Sequence, residues 1–306
     1  MLINEEAAEL VAGDARVGHV LTYSRKKGEK SVYAKLSSEW GLVQAVRSGS
    51  YDLVINLTEG DRGNILAILS RAPYKVGQVG SKGSRWLSHT YKQAKTHRHS
   101  VEKDLDALRR LGIYPEDGEK QLFMAPFLGG EAVVQRFLDQ VGLKTFYVIH
   151  AVSRWMYKSP RVQTFINLIL SLNRPVVITG HDEGLEGAYL KAILQACPSA
   201  FYFPSQGSIG ALSALIKRAE GLVTVDSLPL HIGSCLKVPT ICLFGPTSEF
   251  DWGPWQNPHA QVVTYNKPCR ACYQDGCGGG KLADCLEKIT LTDLNRAIEA
   301  VFPKVE

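Results

Sequence analysis

The stretch GLVTVDSLPLHIGSCLKVPTICLFGPT, residues 221–247, restricts this chain more than any other. An apolar run, Leu222 to Val225, ends at Asp226-Ser227, and Pro229 sits where the first turn of a helix tolerates a missing N–H. A helix carrying His231 follows, then a second apolar run from Val238 to Phe244 and a Gly245-Pro246-Thr247 turn. A strand that runs into a polar helix N-terminus leaves backbone N–H groups without intrahelical partners. They point beyond the strand end and favour an anion there. Two such units in succession predict half of a Rossmann-like nucleotide-binding domain. Asp226 can also serve as a plain helix cap. Capping alone accounts neither for a His one turn on nor for the second Gly-Pro turn.

The same alternation extends in both directions. Strands are predicted at 52–57, 74–77, 146–151, 175–180 and 200–203, with helices at 64–70, 101–111, 131–141, 163–172, 186–195, 209–219 and 291–302. Strands separated by helices argue for parallel sheets covered on both faces. The segment MAPFLGG, with Pro126 and Gly129-Gly130, reads as a linker, so two domains are expected, 1–127 and 128–306. No apolar run has the length of a membrane span, and MLINEEAAEL lacks the basic start of a secretory signal. The expectation is a cytoplasmic protein whose seven Cys stay reduced.

Charge is informative by its distribution. The net charge of +5 is too small to argue for a nucleic-acid partner. From Arg71 to Arg98, however, seven Lys and Arg (Arg71, Lys75, Lys82, Arg85, Lys92, Lys95, Arg98) occur without an Asp or Glu, with His89, His97 and His99 within or beside them. Such a run is either a solvated loop face or a surface for phosphorylated or lipidic anions. Beyond the strand ending at His150 stand Ser153, Arg154 and Lys158. A cation placed there can neutralise a phosphate, or it is an ordinary surface lysine. Glu183 follows the next strand, with Glu186 as its alternative. A carboxylate at such a strand end accepts ribose hydroxyls or complements a helix dipole. Cys269, Cys272, Cys277 and Cys285 give C-x2-C-x4-C-x7-C in a Gly-rich loop. Four thiols so spaced can hold a structural zinc, or they are reduced side chains. Cys197, Cys235 and Cys242 read as core.

Asp226-Ser227-x-Pro229-x-His231, followed by Phe244-Gly245-Pro246-Thr247 and Trp252-Gly253-Pro254, resembles the signature of the ADP-heptose:lipopolysaccharide heptosyltransferases, glycosyltransferase family nine, nearest the heptosyltransferase III branch. The resemblance implies an α/β GT-B fold of two Rossmann-like domains with parallel sheets facing a central cleft. It implies transfer of heptose from ADP-heptose, the donor substrate, to the lipopolysaccharide inner core or a lipid A-Kdo acceptor, with no cofactor for the chemistry. It carries a diphosphate-binding role onto Lys158, a hydroxyl role onto Ser153 and a ribose role onto Glu183. Asp226, Ser227, Leu228 and His231 then complete the donor site. Asp226 would bind heptose hydroxyls or orient the loop rather than bind phosphate, and His231 would either donate to a phosphate oxygen or pack inside. Leu228 stands where the family often has Gly or Ala, so it reshapes the sugar pocket while leaving its N–H available. Arg62, Arg71, Lys75, Arg85, Arg98 and His99 would face the acceptor, with peripheral contact to the inner membrane. Family members begin with a strand and a loop ending in Gly-Asp whose Asp is the general base. Here no apolar strand is predicted before Gly13-Asp14, so the first domain reads as shortened by about 40–50 residues, the size of one βα unit and a strand. The base is then expected upstream of Met1. Two alternatives stay open: a non-catalytic nucleotide- or lipopolysaccharide-binding remnant, and a zinc-dependent nucleic-acid-binding protein.

Overall fold

The computed structural model describes residues 1–24, 32–93, 96–124, 128–172, 174–205 and 208–302. Lys95 of the basic run and Pro126 of the expected linker lie outside the described residues. The fold class is the expected one, α/β with parallel sheets, and the chain divides into two compact units, Met1–Lys120 and Gln121–Glu306. The division falls earlier than the boundary at 127/128 read from the Gly-Pro linker. Met124 packs against the core of the second unit, so apolar burial draws the segment before the linker into that unit.

In the first unit, strand β1 (Leu2–Asn4) pairs in parallel with β2 (Leu21–Tyr23). Helix α1 (Val32–Ser48) leads to β3 (Leu53–Ile55), and α2 (Asp61–Leu69) leads to β4 (Tyr74–Gln78). With β5 (His89–Tyr91) these form a second parallel sheet in the order β3-β4-β5. Helices α3 (Ser100–Asp104) and α4 (Asp106–Arg109) close the unit, interrupted at Leu105 where one continuous helix was expected. The strand Leu2–Asn4 corrects the expectation that none precedes Gly13-Asp14. Its three residues are too short to show periodicity, and it is defined by its pairing with β2. The pair does follow a short 3-10 helix, Glu5–Leu10, as read.

The second unit is one six-stranded parallel sheet. Helix α5 (Leu128–Val141) precedes β6 (Tyr147–His150), and α6 (Val162–Ser171) precedes β7 (Val176–Ile178). Then come α7 (Gly184–Ala196), β8 (Phe201–Tyr202), α8 (Ile209–Arg218), β9 (Gly221–Val225) and α9 (Leu228–Leu236). Strand β10 (Thr240–Phe244), α10 (Glu249–Trp252), β11 (Ala260–Thr264), α11 (Asp284–Glu287) and α12 (Leu291–Val301) complete it. The strand order is β11-β10-β9-β6-β7-β8. The strands at the centre are buried along their whole length because helices cover both faces. Alternate residues feed opposite cores. Ile149, Ile178, Val223 and Val225 join α6, α7 and α12 on one side, whereas Val148, Val177 and Leu222 join α5, α8 and α9 on the other. Each fully buried Ile, Leu or Phe is worth about 1.5–3 kcal/mol of transfer energy. Local signals agree with this packing. Ser208 caps α8, and Thr290 with Asp293 forms a capping box on α12.

Candidate functional site

The sheet order creates a switch point. From β6 the chain moves outward to β7 and β8, then returns to the other side of β6 to build β9, β10 and β11. The loops leaving β6 and β9 therefore diverge, and a crevice opens between their carboxyl ends, where open α/β sheets bind ligands. A cavity of about 730 Å³ lies there, and all its lining residues belong to the second unit.

Three side chains from different loops meet at one oxygen. Lys158 Nζ donates to Asp226 Oδ2 at 2.7 Å, and Thr247 Oγ1 donates to the same oxygen at 2.7 Å. Asp226 is only 5% exposed. A buried carboxylate needs a partner of opposite charge or several donors, and this one has both. The sequence allowed Asp226 to be the cap of α9. The structure gives that place to Ser227, whose hydroxyl makes no capping bond and instead contacts Thr224 Oγ1 and Val225 O, both at 3.3 Å. The carboxylate of Asp226 turns instead toward Lys158 and Thr247. Pro229 lies in the first turn, as its fixed φ and missing N–H require.

All seven donor-side candidates, Ser153, Lys158, Glu183, Asp226, Ser227, Leu228 and His231, line this cavity. Ser153 is buried and Leu228 is 40% exposed. His231 meets Trp252 edge-on, with ring centroids 6.5 Å apart. Glu183 is the exposed N-cap residue of α7 and makes no side-chain cap bond. Glu186, its alternative, also lines the cavity and is more enclosed, and burial raises its pKa against the opposing effects of His181 and Arg154. Gly180, at φ 154°, lets the chain leave β7 beside the cavity. A Cβ there would stand 2.8 Å from Leu190 and 2.9 Å from Val152.

Sequence reasoning missed His150 and Thr179 as a pair. His150 ends β6 and Thr179 directly follows β7, and because the two strands are neighbours, His150 Nδ1 lies 2.8 Å from Thr179 Oγ1 on the cavity wall. Burial holds the imidazole neutral, with its pKa lowered to about 4, and nearby His181 adds to the depression. Trp252 was read only as part of a motif. Its place on the wall comes from α10, which begins directly after the Gly245-Pro246-Thr247 turn.

The acceptor-side candidates belong to the first unit and fall into two groups. Arg98 pairs with Asp106 at 2.6 Å within a network that includes Arg109, Glu102 and Lys120, and His99 caps α3 by accepting from Val101 N. Arg62 pairs with Glu39 at 2.9 Å and lies over the Tyr23 ring. By contrast, no ion pair among the described residues involves Arg71, Lys75 or Arg85, although Arg85 lies over the ring of Trp86. The four loop cysteines differ in their exposure. Cys269 and Cys277 are exposed, Cys272 is half-buried and Cys285 is buried in the core under α12. Among the described residues no group of three or more His, Cys, Asp or Glu side chains is arranged to hold a metal ion. Apolar packing takes Cys285 inward, while Cys269 and Cys277 lie at the surface. Among the described residues no helix is long and apolar enough to cross a membrane.

Comparison with known proteins places this geometry. The chain is 28% identical over 280 residues to lipopolysaccharide heptosyltransferase 3 of Escherichia coli K12, covering 83% of this chain and 76% of that protein. Its fold is similar to that of a family 9 glycosyl transferase from Veillonella parvula, with a TM-score of 0.80, 19% identity and coverage of 98% and 86% of the two chains. It is also similar to E. coli heptosyltransferase WaaC solved with ADP-2-deoxy-2-fluoro heptose, with a TM-score of 0.69, 17% identity and coverage of 98% and 88%. Residues 40–283 match glycosyltransferase family 9 (heptosyltransferase), which is most of the chain, and the protein therefore belongs to that family of glycosyltransferases.

Proposed function

We propose that this glycosyltransferase moves heptose from ADP-heptose to the inner core of lipopolysaccharide, at the cytoplasmic face of the membrane. The observation that carries this reading is the Lys158–Asp226–Thr247 cluster at the switch-point cavity. Departure of a nucleoside diphosphate places negative charge on the leaving oxygen. A fixed ammonium and the N-terminus of α9 beside it are suited to stabilise that charge. Lys158 is partly buried, so its charge acts in a medium less screening than water. A carboxylate repels phosphate, so Asp226 orients the ammonium and offers its cavity side to sugar hydroxyls. Glu183 or Glu186 serves the ribose. The names of the relatives support heptose as the sugar and ADP as its carrier. The open cations Arg71, Lys75 and Arg85 support an anionic acceptor near a lipid surface.

The test is a transfer assay with ADP-heptose and a heptose-deficient inner-core acceptor, reading ADP release together with the mass of the acceptor. A gain of one heptose per ADP released is expected. Donor binding without any gain in acceptor mass would favour the binding-protein alternative. Turnover with a different nucleotide sugar in preference to ADP-heptose would overturn the donor assignment.

A further inference from the structure

Resting on the donor-site reading above, we infer that Arg270 is a positioning residue for that site. It acts through a strut, residues 267–287, that ties together the two loops holding Lys158 and Thr247. None of the strut's residues lines the cavity, yet it grips both sides of it. Arg270 Nε donates to Gly245 O at 2.9 Å, and its guanidinium also pairs with Glu249, the first residue of α10. Tyr273 N donates to Pro246 O at 2.9 Å, while the Tyr273 hydroxyl donates to Asp251 of α10. The Gly245-Pro246-Thr247 turn is thus fixed by two of its carbonyls, and α10, which carries Trp252 into the cavity wall, is fixed by two of its acids. Leu286 seals the turn from below. A Cβ on Gly245 would stand 2.5 Å from Leu286 Cγ, so only Gly allows this approach.

The far end of the strut holds the other loop. Glu287 of α11 accepts from Arg161 N at 2.9 Å and pairs with Arg161 Nε at 2.8 Å. Arg161 lies just beyond Lys158, across Ser159 and Pro160, and Tyr189 donates to Pro160 O at 2.8 Å. One segment therefore sets the separation of the Lys158 loop from the Thr247 turn, and the two meet at Asp226 Oδ2. The arrangement explains why a loop so rich in Gly and Cys holds an Arg that is only 10% exposed. Arg supplies the two-directional fork that a carbonyl and a carboxylate require together. A Lys could serve only one of them well.

The experiment is calorimetry with ADP on the full chain. Arg270→Ala is expected to raise the ADP Kd about tenfold, the size of weakening about one hydrogen bond to the ligand when the Thr247 turn loosens. Arg270→Lys should fall between Ala and the native protein. Thr247→Val should also raise Kd about tenfold. The double variant Arg270→Ala/Thr247→Val should be no worse than the single ones, since both act on one chain of contacts. Arg174→Ala removes an ion pair to Glu220, neither residue lining the cavity, and should leave Kd unchanged. Should Arg270→Ala fail to fold, Glu249→Gln weakens the same grip and should raise Kd in the same direction. Native-like Kd in a folded Arg270 variant, or additive losses in the double variant, would overturn the inference. Failure of the unmodified protein to bind ADP would instead remove the donor-site reading beneath it.

Discussion

Lys158 and Asp226 are 68 residues apart in the chain, yet their charged atoms stand 2.7 Å apart between the carboxyl ends of two neighbouring strands. Each explains the other: an aspartate this enclosed needs a cation, and a lysine this constrained keeps its ammonium aimed at the cavity. Thr247 adds a neutral donor on the same oxygen. On the proposed donor role, the cluster would meet an anion already assembled, and little reorganisation would accompany binding.

Removing the ammonium should weaken donor binding. Lys158→Ala is expected to cost about 1.5–3 kcal/mol in ADP affinity, the range for hydrogen bonds to charged groups. It should also lower thermal stability, because Asp226 would keep a buried charge without its cation. Asp226→Asn in the same background should recover the stability and not the affinity. Calorimetry and thermal melts on the three variants separate the two effects.

His150 should impose a pH dependence on stability. Its folded pKa is about 4, and burial is the main cause. In the unfolded chain an imidazole titrates near ~6.5. Between these values the unfolded state binds more protons, so stability should rise with pH from about 4 to about 6.5 and stay level above that. The contribution is on the order of 3 kcal/mol at neutral pH relative to strongly acidic solution. His150→Gln should flatten that part of the profile in urea melts between pH 4 and 7. An unchanged slope would show that other groups carry it.

The cysteines should differ sharply in reactivity. Cys269 and Cys277 are exposed, whereas Cys197, Cys242 and Cys285 are buried with thiol pKa values raised by desolvation. The thiolate is the reactive form. Brief treatment of the reduced native protein with iodoacetamide should label Cys269 and Cys277 first, and the buried three only after denaturation. Peptide mapping by mass spectrometry reads the order directly.

Asp14 should not behave as a tuned general base. Its carboxylate accepts from Arg16 N at 2.9 Å, from Arg16 Nε at 3.0 Å and from Arg16 Nη2 at 2.7 Å, and these bonds hold its pKa below the usual value. A base for a sugar hydroxyl gains from a raised pKa. Carboxyl NMR titration should place Asp14 below the ordinary aspartate range, and Arg16→Ala should move it upward. Asp14→Asn should leave heptose transfer unchanged.

The basic run should divide by partner. Arg71→Gln and Arg85→Gln should weaken association with anionic vesicles, and the association should fade as salt rises. Arg98→Gln should instead lower stability, because its guanidinium is committed to Asp106. Vesicle sedimentation over a salt series, paired with thermal melts, distinguishes binding cations from structural ones.

The amino-acid sequence by itself determined the parallel α/β class, five of the six strands of the second unit and the loops that carry the donor-side candidates. Those strands are continuous apolar runs with turn residues at their ends, and a two-faced sheet requires such a pattern. It also determined the Gly-Pro-Thr turn and the Pro at the start of α9. It did not reveal β1, β2, β5 or β11, which have no strong alternation and exist as strands because a neighbour supplies their hydrogen bonds. Tertiary structure alone decided which oxygen of Asp226 meets Lys158, that His150 lies against Thr179, that Arg98 is paired with Asp106 and that Cys285 is buried while Cys269 and Cys277 are exposed. Each of these depends on strand order or on which side of a sheet a loop falls. A local pattern specifies periodicity and turn chemistry, whereas contacts between distant residues are fixed by which strands pair and which apolar faces bury one another.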